Sequence, residues 1–247
     1  MTPASVSGFE AVIHLAGESI VGRWTAAKKA RIRDSRLQGT RHLVAALVAS
    51  PQPPRAFICA SAIGYYGSRG EEILREDSAP GRDFLAGVCR EWEAATQPAT
   101  AAGIRTANPR FGVVLSLQGG ALPKMLTPFR LGVGGNMGNG RQWWSWISAE
   151  DVAGAILHLL KTDVSGPVNF VSPNPVTNAE FTKTLAAVLS RPAIFPMPAF
   201  AARFIFGEMA DELLLASQRV EPAKLSGSGY AFKDPDLRDA LKGILGR

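Results

Sequence analysis

Apolar residues along this chain fall into two spacings. Short runs rich in β-branched residues read as buried strands of a parallel sheet: EAVIHLA at 10–16, Ala56–Ala60, Ile104–Asn108 continued past Pro109 by FGVVLS, and Gly166–Val171. Between them apolar side chains recur at helical spacing. One helix is predicted from a Thr25 cap, with Ile32, Leu43, Leu47 and Val48 on its stripe, until Ser50 and the prolines Pro51, Pro53 and Pro54 end it. A second starts at an Asp83 cap and runs through FLAGVCREWEAA, with Pro98 and Gly103 marking where it kinks or stops. Ser148-Ala-Glu-Asp151 and Thr177-Asn-Ala-Glu180 read as capping boxes opening two more. From Pro192 onward the chain is proline-punctuated and helical, with PAFAARFIFGEMADELLLAS as two short apolar helices and Asp234-Pro235 starting a last one.

Strand and helix in alternation is the rhythm of an α/β, Rossmann-like doubly wound parallel sheet, with a ligand at the carboxyl ends of the strands. Residues 1–118 and 148–171 are assigned to this core. Residues 119–147 and 172–247 form a smaller, mainly helical C-terminal substrate lobe. The glycine-dense loop GVGGNMGNG at 132–140 follows no apolar strand and is closed by no Lys-Ser or Lys-Thr, so it reads as a flexible loop over a pocket rather than a phosphate cradle.

Composition narrows the class. No apolar run approaches the length of a membrane span, and the N-terminus resembles no secretory leader, so a cytoplasmic setting is expected. Two cysteines, Cys59 and Cys89, allow neither a disulfide framework nor a four-ligand zinc site and read as buried thiols. The three histidines show no ligand spacing, and no metal is expected. The charge is +6 with a pI near 9.6. Its densest group, Lys28, Lys29, Arg31, Arg33, Arg36 and Arg41, recurs at helical spacing and reads as a solvated face, with anion binding as the rival use. Neither nucleic acid nor a membrane is expected as a partner; a small-molecule substrate is, and a homodimer is the assembly in view.

Several long segments together carry a resemblance: VIHLAGESI at 12–20, SAIGYYG at 61–67, DFLAGVCREWE at 83–93, RFGVVLS at 110–116, MLTPFRLGVGG at 125–135 and GRQWWSWISAEDV at 140–152. The chain resembles the atypical, epimerase-like extended short-chain dehydrogenase/reductases that carry a small C-terminal domain of unassigned role. The resemblance implies NADP or NAD as cofactor. It also implies that a segment of roughly 50 to 60 residues, with the first strands and the glycine-rich pyrophosphate turn, is missing here, so that this chain binds the dinucleotide weakly or not at all. By resemblance Leu15, Ala16 and Gly17 lie under the adenine ribose, Ala60 and Ser61 near the nicotinamide ribose, and Arg110, Phe111 and Gly112 along the nicotinamide side of the cleft.

The superfamily's proton-transfer group is a serine with a YxxxK pair on one helix. Here that helix reads Phe84 and Val88, and Ala62 stands at the catalytic serine position. Ser61, Tyr65 and Tyr66 are the candidates left for catalysis. Glu18, Arg23 and Arg36 could pair structurally or bind an acidic group, Glu91 and Glu93 are assigned to the solvated side of their helix, and Arg141 and Trp143 could close over a substrate. Two functions follow: an NAD(P)-dependent epimerase or oxidoreductase acting on an unknown small molecule, with a nucleotide sugar as the class in view, or a catalytically silent dinucleotide-binding sensor or scaffold.

Overall fold

A computed structural model describes residues 2–246. β1 (Ala11–His14) leads to α1 (Ala26–Val48), β2 (Ala56–Cys59), β3 (Ser61–Ala62), β4 (Ile73–Leu74), α2 (Phe84–Ala94), α3 (Gln97–Ala101), β5 (Arg105–Phe111), β6 (Val113–Leu115) and α4 (Leu122–Arg130). Then come β7 (Trp143–Trp144), β8 (Trp146–Ser148), α5 (Ala149–Lys161), β9 (Gly166–Phe170), β10 (Val176–Thr177) and α6 (Asn178–Leu189). α7 (Ala199–Phe206), β11 (Arg219–Val220), α8 (Ala223–Gly227) and α9 (Leu237–Leu245) complete the chain.

β1, β2, β5 and β9 pair in that order, all parallel, and β3 extends β2 alongside the end of β5. Alternate residues face opposite sides. Phe57 and Cys59 meet Leu37, Leu43, Val44 and Leu47 of α1 on one face, whereas Ile58, Ala107 and Val168 meet Ala155, Ile156 and Leu159 of α5 on the other. Helices on both faces make the sheet doubly wound and Rossmann-like. A separate core joins α4, α6 and α9 around Trp144 and Trp146.

The predicted caps at Thr25 and Asp83 form, accepting from the backbone N–H of Lys28 and Ala86. Thr177 and Glu180 close a complete capping box. Ser148 closes only half of one. Asp151 does not reach the Ser148 backbone N–H; its carboxylate accepts from the Ser148 hydroxyl at 3.3 Å, the Tyr230 hydroxyl and the backbone N–H of Lys233 and Asp234. Three further expectations are corrected. The strand through Pro109 stops at Phe111, because β6 leaves the sheet to pair with β8. Only the first of the two short apolar helices is regular, residues 210–214 forming a single π turn. The last helix starts at an Asp236 cap, since the Pro235 carbonyl accepts from Ser172 and Asn174 instead.

Both cysteines are buried, and burial pushes each thiol from 9.0 up to about 12, while burial likewise raises Tyr66 from 10.0 to about 12. These groups hold their protons in the folded chain and release them earlier when it unfolds. Their contribution to stability is therefore complete below pH 9.0 and declines as pH rises toward about 12. Chemical denaturation is expected to show falling stability across that window, and folded protein at pH 8 should react with iodoacetamide only as fast as it unfolds. Rapid stoichiometric alkylation of the folded chain would contradict this.

Candidate active site

Three neighbouring strand ends build the site. His14 lies opposite Cys59, Ser61 opposite Arg110, and Ala62 opposite Phe111, so the segments after β1, along β3 and at the end of β5 share one edge of the sheet. Leu15, Ala16 and Gly17 are exposed and form an open ledge. A side chain at residue 17 would meet the guanidinium of Arg36 at 3.2 Å, so this ledge has a cation beneath it. Arg36 donates to the carbonyls of Glu18 and Ile32 and has no ion-paired carboxylate among the described residues, while Glu18 pairs with Lys28 at 2.6 Å. Arg23 lies farther off, donating to the Phe204 carbonyl.

Behind the ledge lies a buried polar cluster. Arg110, 2% exposed, pairs with both oxygens of Glu93 at 2.8 Å and donates to the Tyr66 hydroxyl at 2.9 Å and the Glu76 carbonyl at 3.1 Å. Burial opposes its charge, but Glu93 outweighs that cost and its pKa stands above the ordinary arginine value. Ser61 donates to Glu93 at 2.6 Å, and Tyr66 donates to Asn169 at 2.7 Å. The placement of Glu93 on a solvated face is thus overturned. Glu91 does lie outside, paired with Arg33, but residues two apart on a helix point about 200° apart. Ala86, Cys89 and Glu93 form one inward stripe, and that spacing was the available signal.

The catalytic candidates therefore separate. Ser61 and Tyr66 are buried and fully engaged. Tyr65 is half-buried, lies under the Arg110 guanidinium at 3.5 Å and edge-on to Tyr66 at 5.4 Å, and its hydroxyl makes no hydrogen bond among the described residues. Phe111 packs edge-on to Phe170, and Gly112 stands where a side chain would strike the Ser145 carbonyl at 2.5 Å.

The YxxxK positions are given over to packing. Val88 is in the core, and Phe84 meets Trp24 edge-on beneath the Lys29 ammonium at 4.7 Å. Beside them is a group the sequence did not flag. Glu212 accepts from the N–H groups of Phe84 and Leu85 at the start of α2, at 3.2 and 2.9 Å, and burial raises its pKa.

On the lobe side, Arg141 lines an open cleft of about 640 Å³ with Glu71, Asn139, Gln142, Leu215 and Ser217. Trp143 donates to Glu71 at 2.7 Å with Arg219 stacked at 4.4 Å, so its ring is pinned rather than free to close. The 132–140 loop is also held: a side chain at Gly135 would collide with the Phe195 carbonyl, and Phe195 and Met197 donate to the carbonyls of Gly134 and Asn136. Its glycines permit this close backbone approach, and Gly138 and Asn139 line the open cleft, in keeping with a loop beside a pocket.

The Leu15–Gly17 ledge, open, small and beside the Arg36 guanidinium, leaves room for a ribose of a dinucleotide. No glycine-rich turn from strand to helix is present among the described residues to receive the pyrophosphate.

The profile of the NAD dependent epimerase/dehydratase family matches residues 3–171, and a domain of unknown function (DUF1731) matches residues 197–244. The epimerase family protein YfhF of Bacillus subtilis is 42% identical over 94% of this chain and 77% of its own. The crystal structure of human epimerase family protein SDR39U1, isoform 2, with NADPH superposes at a TM-score of 0.93, with 35% identity over all of this chain and 87% of its own. A nucleoside-diphosphate sugar epimerase from Corynebacterium glutamicum superposes at 0.80, with 39% identity over 99% of this chain and 48% of that one. The chain belongs to the NAD-dependent epimerase/dehydratase family, in its atypical epimerase-like branch with the C-terminal domain of unknown function.

Proposed function

We propose that this protein is a cytoplasmic NAD(P)-dependent epimerase or oxidoreductase of nucleoside-diphosphate sugars, with Tyr65 as the proton-transfer group. The observation that carries this reading is Tyr65 itself, half-buried beside Arg110 with a hydroxyl that has no hydrogen-bond partner among the described residues, while Ser61 and Tyr66 are committed to buried hydrogen bonds. The NADPH held by the human relative and the sugar-nucleotide epimerase name of the Corynebacterium relative support the cofactor and substrate class. Leu15–Gly17 and Ala60 would hold the cofactor, which supplies hydride when bound. Arg110 orients the Tyr65 ring from above, and the Tyr65 phenol exchanges a proton with the substrate oxygen.

The packed Phe84 and Val88 favour the rival reading, a silent dinucleotide sensor. The two separate on deuterium exchange from C4-deuterated NADPH, at saturating concentration, to the ketone carbon of a panel of nucleoside-diphosphate 4-keto-hexoses, whose carbonyl oxygen takes up the proton as the carbon takes up deuteride. Tyr65→Phe is expected to lower the exchange rate by about 100-fold or more while leaving NADPH binding within about twofold. Exchange that persists in Tyr65→Phe removes Tyr65 from the mechanism. No exchange in the wild type, with NADPH bound, favours the sensor.

A further inference from the structure

The substrate lobe carries a surface unlike the rest of the molecule. Phe200, Phe204 and Ile205 on α7 are 75%, 83% and 52% exposed, and Ile194 and Phe195, just before them, are 72% and 56% exposed. Leu131, 72% exposed, opens the loop that runs alongside this segment through the hydrogen bonds of Phe195 and Met197 to Gly134 and Asn136. Large apolar groups this far out of the surface, adjoining one another, are unusual for a chain with no partner there.

Charge singles out the same lobe. Its segments 121–147 and 181–207 hold Lys124, Arg130, Arg141, Lys183, Arg191 and Arg203 and no Asp or Glu, whereas the lobe as a whole carries 12 basic and 8 acidic residues, with Glu208, Asp211 and Glu212 just after α7. Arg203, on the exposed side of α7 between the two phenylalanines, is answered by Asp211 at 2.9 Å; the other five have no ion-pair partner among the described residues.

We propose that this face of the C-terminal lobe is a peripheral docking surface for an anionic phospholipid membrane, with Phe200 and Phe204 inserting among the acyl chains and the lobe's lysines and arginines facing the headgroups. Protruding aromatic and aliphatic side chains above a basic lobe match the composition of an interfacial anchor. A second copy is disfavoured, because its patch would bring the same positive charge. Among the described residues no helix is long and apolar enough to cross a membrane. This departs from the sequence-based expectation of no membrane partner, since only the folded structure shows which phenylalanines are left outside. It goes beyond the enzymatic reading and stands without it.

Co-sedimentation of the full chain with phosphatidylcholine vesicles, with and without phosphatidylserine, tests the proposal. Binding is expected only when phosphatidylserine is present, with loss at high salt. Phe200→Ser/Phe204→Ser and, separately, Arg130→Glu/Arg191→Glu should each weaken it by about tenfold or more, with unchanged thermal melting because all four side chains are exposed. Absence of vesicle binding overturns the proposal, as does equal binding to both lipids or wild-type binding by both variants. Self-association without vesicle binding, abolished by Phe200→Ser/Phe204→Ser, overturns it in favour of a second copy.

Discussion

Replacing Arg110 by Ala is expected to destabilise the protein by about 3–5 kcal/mol, lowering its melting temperature by roughly 10 °C. The change strands the Glu93 carboxylate, which is 13% exposed and, among the described residues, otherwise receives only the Ser61 hydroxyl, and it removes a donor from Tyr66 and from the Glu76 carbonyl. An unpaired buried charge costs more than the pair contributes, so the size of the loss measures isolation and not attraction. A double-mutant comparison makes the point testable. Arg110→Met with Glu93→Leu removes both charges and keeps apolar volume, and should recover a large part of the loss. If Arg110→Ala melts within about 2 °C of the wild type, too small a shift for a stranded charge in a chain of this size, water reaches Glu93 and the cluster is not the sealed network described. The same variant bears on chemistry, since Arg110 also holds the Tyr65 ring.

Asp151→Ala should cost about 3 kcal/mol or more and act locally, loosening the chain from Tyr230 through α9. Asp151 is 1% exposed, and its two oxygens receive the Tyr230 hydroxyl at 2.8 Å, the Lys233 N–H at 2.8 Å and the Asp234 N–H at 2.9 Å. Removal leaves two backbone donors without acceptors inside the protein. Asp151→Asn is expected to be nearly as damaging, because its amide group presents a donor where a backbone N–H already points. Hydrogen exchange at Lys233 and Asp234 and limited proteolysis of the last residues read the effect directly. Unchanged protection at those amides in either variant would show that the latch is held by other contacts, chiefly Leu237 and Leu241 in the lobe core.

Much of the framework was legible along the chain because its causes are local. Strand runs bounded by glycine and proline, helical stripes, and the caps at Thr25, Asp83 and Thr177 depend on residues within one turn of each other. The replacement of the tyrosine–lysine pair by Phe84 and Val88 was equally readable, since residue type alone decides whether a side chain can carry a proton. Spacing also held the inward direction of Glu93, although the glutamate's charge masked it. Glu212 left no such trace, because its partners at the start of α2 lie more than a hundred residues away.

The sequence by itself determined a parallel α/β sheet, an epimerase-like family and the absence of the usual acid–base pair. Only the fold set Arg110 against Glu93, tied Asp151 to the C-terminal segment, left the Tyr65 hydroxyl without a hydrogen bond among the described residues, and put Phe200 and Phe204 in solvent. The physical reason is range. Backbone hydrogen bonding and side-chain periodicity are set by neighbours in sequence, whereas burial and the pairing of a charge are set by whatever the fold brings within a few ångströms, and residue identity does not encode that partner.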